Sequence, residues 1–495
     1  MLCLLENESE KLSENEKESE YYSQTDDCQY FIMKNINITD TIVAISTPNG
    51  VGAIGVIRLS GSEAVKIVNS IFNGKNLVEQ ASHTIHLGKI KYKNEILDEV
   101  LVSLFLAPSS YTKENVVEIS CHGSPYILQK IIEAIIDNGA RPAKPGEFTQ
   151  RAFLNGRFDL SQAEAVADII ASDSQAAHKI AMQQMRGGIS SKLKELRTSL
   201  IDFAALIELE LDFGEEDVEF ADRTQLNELL HQIQTEIAIL SSSFQFGNAI
   251  KNGIKVAIVG RPNAGKSSWI NALMQEEIAI VSEIAGTTRD KIETTLNING
   301  ITFRLIDTAG IRKTQDTIEK IGVRIALETI EQADIILYIF DLTALTFQDL
   351  EKDVDEILSK SKASRILIAN KSDLVNSGWV SIGGEFGVFA NLSFLSAYNK
   401  EDVHFIKNEL YKVVTREFLE SNESVVVSNA RHYESLQKSQ QAINEVIGKL
   451  QQHISSDFIS QDIKTALRHL GEITGEIDID KDILATIFGK FCIGK

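Results

Sequence analysis

The sequence predicts a multi-domain protein with an α+β part, an all-α part and an α/β part. Three observations lead to this fold class: short strand patterns in the first third of the chain, a glycine-rich loop between an apolar strand and a helix near its middle, and long helical patterns on both sides of that loop. The 495 residues suffice for about three domains, because a domain typically holds about 100–200 residues. The simplest arrangement inserts the α/β domain into the helical bundle.

Changes of pattern along the chain give the expected domain boundaries. Residues 1–35 form an acidic extension, 36–155 the N-terminal α+β domain, 156–252 the first helical part, 253–418 the inserted α/β domain and 419–495 the second helical part. The first 32 residues hold nine acidic residues against two lysines, a composition that predicts disorder. We expect Met33 to be the true start of the protein, and a genuine acidic tail is the alternative.

Composition argues against two broad classes of protein. The formal net charge is −21, so the surface as a whole is unsuited to nucleic acid, and RNA binding would need a local basic patch. No apolar run in the sequence is long enough to span a bilayer, so we expect no membrane association. The four cysteines lack metal-ligand spacing, which favours a reducing, cytoplasmic setting.

The N-terminal domain is predicted from short strand patterns with helical stretches between them. Strands are expected near residues 41–45, 52–59, 85–92, 99–106 and 115–120, and helices over residues 62–72 and 125–138. Two prolines and two glycines within residues 140–157 mark the exit from this domain. A helix then begins near Asp159, and Ser161 and Glu164 have the spacing of a capping box.

Apolar residues at helical spacing predict the bundle. One amphipathic pattern runs from Gln162 to about Phe213, and another covers residues 226–240. The helical pattern returns after the inserted domain, over residues 428–453 and 463–488. We expect the two helical parts to pack together as one bundle.

The inserted domain carries the motif of a phosphate-binding loop at residues 260–268. The motif follows the apolar strand 254–259 and precedes a helix, which is the context that such a loop requires. Two glycines let the backbone N–H groups point at phosphate oxygens. Lys266 is expected to reach the β- and γ-phosphates, and Ser267 to hold Mg²⁺. Taken alone, the motif is also compatible with a glycine turn that binds nothing.

Two further motifs are typical of the segments that sense the γ-phosphate in a Ras-like P-loop G domain. Thr288, in the polar segment 286–290, is expected to close over the γ-phosphate and Mg²⁺. Asp307 ends an apolar strand and would lie beside the metal, while Gly310 gives the chain freedom to respond to the phosphate.

The last two motifs select the base. Asp373 can accept hydrogen bonds from guanine N1–H and from the exocyclic amine, a pattern that adenine lacks, while Asn370 fixes the loop. Ser396 and Ala397 would supply backbone contact to the guanine oxygen. The predicted nucleotide is therefore GTP. The residues expected to contact it are Asn263, Ala264, Gly265, Lys266, Ser267, Ser268, Ser282, Glu283, Ile284, Ala285, Gly286, Thr287, Thr288, Asp307, Thr308, Ala309, Gly310, Asn370, Lys371, Ser372, Asp373, Ser396, Ala397 and Tyr398.

Hydrolysis needs a group that orients water and a charge that stabilises the transition state. Ile311 stands where many GTPases have a glutamine, and its side chain cannot hydrogen-bond water. Asn263 is a candidate ligand for a monovalent cation in the position of an arginine finger, together with carbonyls and a hydroxyl from residues 282–287. Glu319 is the candidate for orienting water, and the alternative is an ordinary exposed helix carboxylate.

The last residues of the chain leave two interpretations open. Cys492 lies between Lys490 and Lys495, whose charges are expected to lower the pKa of its thiol and make it reactive. A frayed terminus without function is the alternative.

Residues 140–165, 260–268, 286–290 and 491–495 together resemble the MnmE (TrmE) family of tRNA modification GTPases, within the TrmE-Era-like GTPases. The resemblance implies a homodimer formed by the N-terminal domain. It also implies that this domain binds a one-carbon folate, 5,10-methylene- or 5-formyl-tetrahydrofolate. The implied folate-binding residues are Arg58, Glu118, Arg157 and Lys495, although from spacing alone Arg58 and Glu118 are more simply solvated strand residues.

The same resemblance implies the metal sites and the partner. Mg²⁺ would be held by Ser267 and Thr288, K⁺ by Asn263, Ser282, Ile284 and Thr287, and Glu319 would be the catalytic carboxylate. The family acts with the FAD-dependent protein MnmG (GidA), in a heterotetramer or larger complex. Together they add a carboxymethylaminomethyl or aminomethyl group to C5 of the wobble uridine, position 34, of certain tRNAs.

The sequence departs from the family pattern at four positions. Lys113 and Ser124 replace glycines, Trp269 replaces a leucine, and Tyr398 replaces a residue that is often basic. We expect only Tyr398 to touch a residue with an assigned role.

Two alternatives from other classes remain at this stage. One is a ribosome-assembly GTPase related to Era or Der, although the sequence shows neither a KH-type Gly-x-x-Gly module nor a second G domain. The other is a purely structural scaffold, which conflicts with the five nucleotide motifs.

Overall fold

The computed structural model describes residues 40–212, 223–275, 293–307, 329–344, 346–353, 355, 361, 363–375, 392–420, 425–452 and 454–476. These residues belong to two compact units. The first comprises Met1–Ala167, Gln184–Asp222 and Glu445–Lys495, and the second comprises Asp168–Gln183 and Arg223–Asn444. Within the described ranges, every helix is too short or too polar to cross a membrane.

Two sheets and a larger set of helices make up the described chain. The strands are β1 (Ile42–Ile45), β2 (Ile54–Ser60), β3 (Phe72–Asn73), β4 (Thr84–Tyr92), β5 (Glu95–Phe105), β6 (Val116–His122), β7 (Arg141–Pro142), β8 (Ile254–Val259), β9 (Glu293–Ile298), β10 (Ile301–Asp307), β11 (Ile335–Asp341), β12 (Ser364–Asn370) and β13 (Leu392–Phe394). The helices are α1 (Ala64–Ile71), α2 (Pro125–Asp137), α3 (Glu147–Leu154), α4 (Leu160–Ala171), α5 (Gln175–Met185), α6 (Gly188–Asp212), α7 (Arg223–Ser242), α8 (Phe244–Asn252), α9 (Lys266–Gln275), α10 (Phe347–Asp353), α11 (Lys400–Glu420), α12 (Ala430–Gln451) and α13 (Ser456–Thr474).

The sheet of the first unit has seven strands in the order β3-β4-β5-β6-β2-β1-β7. Neighbouring strands are antiparallel except for β1 and β7, which run parallel. Residues alternate between a buried and an exposed face, and α1 and α2 cover the buried face. Gly55 lets α2 approach the sheet, because a Cβ there would lie 2.7 Å from Cδ2 of Leu128.

A buried cluster of charges joins the first strand to α3. The Arg151 side chain is only 3% exposed and pairs with Asp40 at 2.6 Å and with Glu114 and Glu147 at 3.2 Å each. Arg141 binds the same Asp40 and Glu147 carboxylates. Burial opposes ionisation of both acids, but the hydrogen bonds from the arginines outweigh it, so the pKa values of Asp40 and Glu147 are lowered.

Helix α4 begins with a capping box two residues earlier than the sequence suggested. Asp159 accepts a hydrogen bond from the Gln162 backbone N–H at 2.9 Å, and the Gln162 side chain accepts one from the Asp159 N–H at 3.0 Å. Ser161 and Glu164 lie inside the helix and are buried. The predicted Ser161–Glu164 box is therefore wrong, because Asp159 is the better placed acceptor for the orphan N–H groups.

The helical sequence that was expected to run from Gln162 to Phe213 forms the three helices α4, α5 and α6. In the first unit, α13 packs along α6, so helices from both sides of the inserted domain contact each other. In the second unit, the ring of Phe244 stacks on Tyr433 with centroids 4.4 Å apart, and Gln234 donates to Asn444 at 2.7 Å. Helices that precede and follow the second sheet in sequence thus pack together there as well.

The sheet of the second unit has six strands in the order β13-β12-β11-β8-β10-β9. Only β9 is antiparallel to its neighbour, and the central strands β8 and β11 are buried on both faces. Separate apolar clusters cover the two faces, as expected for an α/β domain. The multi-domain fold class, with an α/β domain inserted into a helical one, is confirmed.

Replacing Arg151 by methionine should destabilise the first unit by about 3 kcal/mol, because three carboxylates lose a buried partner. Urea denaturation measures this change. The control is Lys66→Met, which removes an exposed pair with Glu63 and should cost less than about 0.5 kcal/mol.

Acid should narrow the difference in stability between the wild-type protein and Arg151→Met. Because Asp40 and Glu147 have lowered pKa values in the folded protein, their ionised forms stabilise it above about pH 4, and this contribution is lost as the pH falls. The variant should show a flatter decline below about pH 4. Equal stability of the two proteins at pH 7 would contradict the argument.

Candidate functional site

The predicted phosphate-binding loop connects β8 to α9 at the carboxyl end of the second sheet. Gly260 has φ 154°, and a Cβ at this position would lie 1.9 Å from the carbonyl oxygen of Ile339 on β11. Gly265 has φ 98°, and its Cβ would lie 2.1 Å from Nδ2 of Asn370. Both positions therefore require glycine, and the loop lies against residues of β11 and β12.

The lysine of the loop has its ammonium inside the turn. Lys266 is buried, and its Nζ donates to the carbonyl oxygens of Gly260 at 2.8 Å and Arg261 at 2.9 Å. Asn263 adopts a left-handed conformation with φ 61° and is exposed, as is Ser267 in the first turn of α9. The backbone at the start of this helix is oriented as an anion-binding site requires.

A brace of ion pairs that was not predicted from the sequence fixes the outer side of the loop. Arg261 binds Asp353 of α10 through two hydrogen bonds of 2.8 and 2.9 Å, and it also contacts Asp349 at 3.2 Å. Tyr338 on β11 donates to the same Asp353 carboxylate. Burial raises the pKa of Tyr338, and so does its hydrogen bond to Asp353. The only signal in the sequence was the spacing of two acids, four residues apart, on one helix.

The side chain of Asn370 joins the phosphate-binding loop to the predicted base-binding loops. This residue ends β12, is buried, and donates from Nδ2 to the Ala264 carbonyl oxygen at 2.8 Å. Its Oδ1 accepts from Nε1 of Trp269 at 3.0 Å and, more weakly, from the Ala397 N–H at 3.4 Å. The expectation that Trp269 would touch no residue with an assigned role is therefore wrong.

The predicted base-binding residues follow β12 and β13. Lys371 has φ 66°, and its Nζ donates to Asp341 at 2.5 Å. Burial opposes ionisation of Asp341, but hydrogen bonds from Lys371 and Thr343 lower its pKa. Asp373 is exposed at the end of this loop, where its carboxylate is accessible to a base.

The second predicted base-binding loop is held by an acid from the helix that follows it. The Ser396 N–H donates to Asp402 of α11 at 2.7 Å, so the loop has a fixed backbone. Tyr398, at the position often basic in GTPases, is 85% exposed and its N–H donates to the Ser396 hydroxyl.

The structure brings together many of the predicted nucleotide-binding residues. Asp307 ends β10 directly beside β8, in register with Ile258, and so lies at the same end of the sheet as the loop. The described members of the set are Asn263, Ala264, Gly265, Lys266, Ser267, Ser268, Asp307, Asn370, Lys371, Ser372, Asp373, Ser396, Ala397 and Tyr398. The remaining predicted positions, residues 282–288, 308–310 and 319, lie outside the described residues.

A second candidate site lies on the sheet of the first unit. A cavity of about 540 Å³ is lined by His83, Phe105, Pro108, Ser109, Ser110, Tyr111, Lys113, Val116, Glu118 and Arg157. Arg58 and Glu118 face each other across β2 and β6, and their side chains form an ion pair at 2.8 Å. Arg157, a third predicted residue, lines the same cavity.

Two guanidinium groups contact the ring of Tyr111 near this cavity. The guanidinium of Arg58 lies 5.4 Å from its centroid and that of Arg157 lies 5.1 Å away, distances typical of cation–π contacts. Its hydroxyl shares a 2.8 Å hydrogen bond with Thr149, and burial raises the pKa of the phenol. Arg157 also donates to the Ser110 carbonyl oxygen.

The aromatic residues that line the cavity, His83, Phe105 and Tyr111, were not among the predicted binding residues. The loop that carries Tyr111 has no periodic pattern from which its position could be predicted. The predicted terminal residues Cys492 and Lys495 lie outside the described residues.

Comparison with protein families covers most of the chain. The model described as the MnmE helical domain matches residues 160–492, and that described as the GTP-binding protein TrmE N-terminus matches residues 41–157.

Three relatives illustrate the similarity, each with the name tRNA modification GTPase MnmE. The Cytophaga hutchinsonii protein is 50% identical over 93% of this chain and 98% of its own length. The Flavobacterium johnsoniae protein is 52% identical, and the protein of Bacteroides fragilis strain ATCC 25285 is 49% identical, each over 92% of this chain and 99% of its own length. With its N-terminal and helical segments both matched and its length nearly fully covered, this chain belongs to the MnmE family of tRNA modification GTPases.

Proposed function

We propose that this protein hydrolyses GTP in a K⁺-dependent reaction that drives modification of the wobble uridine of certain tRNAs. The family supports a GTPase role in tRNA modification. The observation that carries the proposal for this chain is the Asn370 amide, which joins the phosphate-binding loop to the loop that would hold guanine.

GTP would lie along the carboxyl end of the second sheet, with its phosphates over the start of α9. The N–H groups of residues 263–268 and the Lys266 ammonium would bind the phosphates, as in other P-loop proteins. Lys266 now donates to two carbonyl oxygens inside the loop, so the amine is already positioned there. Asp373 would accept the guanine N1–H and amine, which gives selection against adenine.

Mg²⁺ fits the donor set at this end of the sheet. The Ser267 hydroxyl is exposed at the helix start, and Asp307 ends the adjacent strand. Hydroxyl and carboxylate oxygens are the ligands that Mg²⁺ prefers. Thr288 would complete the set, and the ion would neutralise charge on the β- and γ-phosphates.

Asn263 is the described residue that would hold K⁺. Its left-handed backbone and exposed side chain place an amide oxygen on the solvent side of the loop, where carbonyls from residues 282 and 284 and the Thr287 hydroxyl would join it. The cation would supply the positive charge that an arginine finger supplies elsewhere. Glu319 would orient the attacking water.

The cavity of the first unit would bind a reduced one-carbon folate. Its walls combine aromatic rings with the guanidinium of Arg157 and the carboxylate of Glu118. A pterin needs an acidic partner for its amine and ring N–H groups, and the folate carboxylates need cations. These are the residue types present, and Lys495 would add a further cation.

The exposed face of the same sheet supports a homodimer. Leu87 and Leu101 face each other on β4 and β5, and Ile85 adjoins them, with exposures of 66%, 45% and 65%. A contiguous apolar patch on a sheet face is typical of an interface. The dimer would act in the cytoplasm with the FAD-dependent partner MnmG on tRNA, where the pair would attach a carboxymethylaminomethyl or aminomethyl group to C5.

Deleting the gene should remove the C5 modification from the wobble uridines of bulk tRNA. Nucleoside analysis by mass spectrometry measures this, and a plasmid copy carrying the wild-type chain should restore the modification. A Lys266→Ala copy should fail to restore it. Unchanged wobble uridines in the deletion strain would favour a ribosome-assembly GTPase instead.

GTP hydrolysis should be fast in KCl and at least about tenfold slower in NaCl, because the smaller ion fits the site less well. Asn263→Ala should remove most of this difference. The matched control is Asn299→Ala, since Asn299 also has a left-handed backbone, φ 50°, but lies in the hairpin between β9 and β10. Equal rates in the two salts for the wild-type protein would reject the K⁺ proposal.

Trp269→Phe should weaken GTP binding about fivefold, because Asn370 loses its stronger hydrogen-bond donor, worth about 1 kcal/mol. Fluorescence titration with a labelled GTP analogue measures the affinity. Leu273→Val, a buried change one turn further along α9, controls for lost packing. If both variants bind GTP alike, Trp269 contributes only to the core.

A further inference from the structure

Lys113 has a backbone conformation that a lysine rarely adopts. It lies between β5 and β6 with φ 58°, in the left-handed region where glycine avoids the steric cost of a Cβ. Such outliers persist where the surrounding structure holds them, and they concentrate at functional sites. The strained backbone therefore points to a functional role for the Lys113 side chain.

The ammonium of Lys113 is held at the cavity of the first unit. Its Nζ donates to the Gly156 carbonyl oxygen at 2.8 Å, immediately before Arg157 in the chain. A second hydrogen bond also joins residues 112–113 to residues 155–156, because the Asn155 side chain donates to the Thr112 carbonyl oxygen at 2.6 Å. Both Lys113 and Arg157 line the cavity. Two cations, held together through Gly156, thus line it.

The charges around the cavity do not balance. Glu118 is the carboxylate of the lining, and it is already paired with Arg58 at 2.8 Å. Within the described part of the chain, neither Lys113 nor Arg157 forms an ion pair with an acidic side chain. This local excess of positive charge occurs in a chain with a net charge of −21, in which acidic residues outnumber lysines and arginines by 70 to 49. Such a wall is suited to an anion.

We propose that Lys113 determines ligand specificity by binding a second carboxylate, beyond the one bound by Arg157. The cavity would then select reduced pterins that carry a glutamate, with its two carboxylates, over pterins with one carboxylate or none. This inference rests on the proposed folate site and adds the residue that recognises the glutamate. Two of the three ammonium donors of a lysine are left for the ligand once Gly156 is bound.

Isothermal titration calorimetry of the full-length protein tests this with two ligands. 5-Formyl-tetrahydrofolate carries the glutamate, and 5-formyl-tetrahydropteroate lacks it and has one carboxylate. Lys113→Met should bind the first ligand about five- to tenfold more weakly and the second with unchanged affinity. Lys113→Arg, which keeps the charge, should retain most of the preference for the glutamate.

Two controls separate this role from a structural one. Lys93→Met changes another lysine with a positive φ, 48°, in the hairpin between β4 and β5, and should leave both affinities unchanged. Lys113→Gly removes the charge and relieves the backbone, so it should bind like Lys113→Met without a lower melting temperature.

Each other outcome has a distinct meaning. If the wild-type protein binds neither ligand, the folate site itself is wrong, and this inference with it. If the wild-type protein binds 5-formyl-tetrahydrofolate and Lys113→Met binds it equally well, only the role of Lys113 is overturned. Equal weakening of both ligands in Lys113→Met would also overturn it, because that result would mean that the lysine positions Arg157.

Discussion

The buried amide of Asn370 is the interaction on which the proposed nucleotide site depends. It connects the end of β12 to the phosphate-binding loop, to α9 and to the loop after β13, which are far apart in sequence. Because a buried amide must have its hydrogen bonds satisfied, these segments can take only a narrow range of relative positions. Gly265 belongs to the same constraint, since only a residue without a Cβ leaves space for Nδ2 of Asn370. The Asn370 amide thus joins the predicted phosphate-binding loop to the predicted base-binding loops.

Short-range patterns explain why much of this architecture could be predicted. The strand 254–259, the two required glycines and the helix after them lie within one short segment, so the sequence alone contains their geometry. The apolar strand β10, which Asp307 ends, was predicted for the same reason. The brace from Arg261 to Asp353 and the contact of Trp269 with Asn370 could not be predicted, because they join residues 92 and 101 positions apart.

In the N-terminal unit, prediction from the sequence failed for a different reason. Spacing favoured solvated roles for Arg58 and Glu118, and only the antiparallel register of β2 and β6 places them opposite each other. Tyr111 and Lys113 lie in a loop without periodicity, where the fold rather than the local sequence decides which side chains face the cavity. The start of α4 differed because Asp159 and Ser161, two positions apart, are both good N-cap residues, and cap residues of similar propensity are hard to rank from sequence.

The indole of Trp269 gives this protein a built-in optical probe. The chain has two tryptophans, and this one is fully buried with its N–H bonded to the amide that joins the two halves of the nucleotide site. Indole emission responds to the polarity and hydrogen bonding of its surroundings. Ligand exchange at either half is therefore expected to change the intrinsic fluorescence, which can be followed in real time without attached dyes.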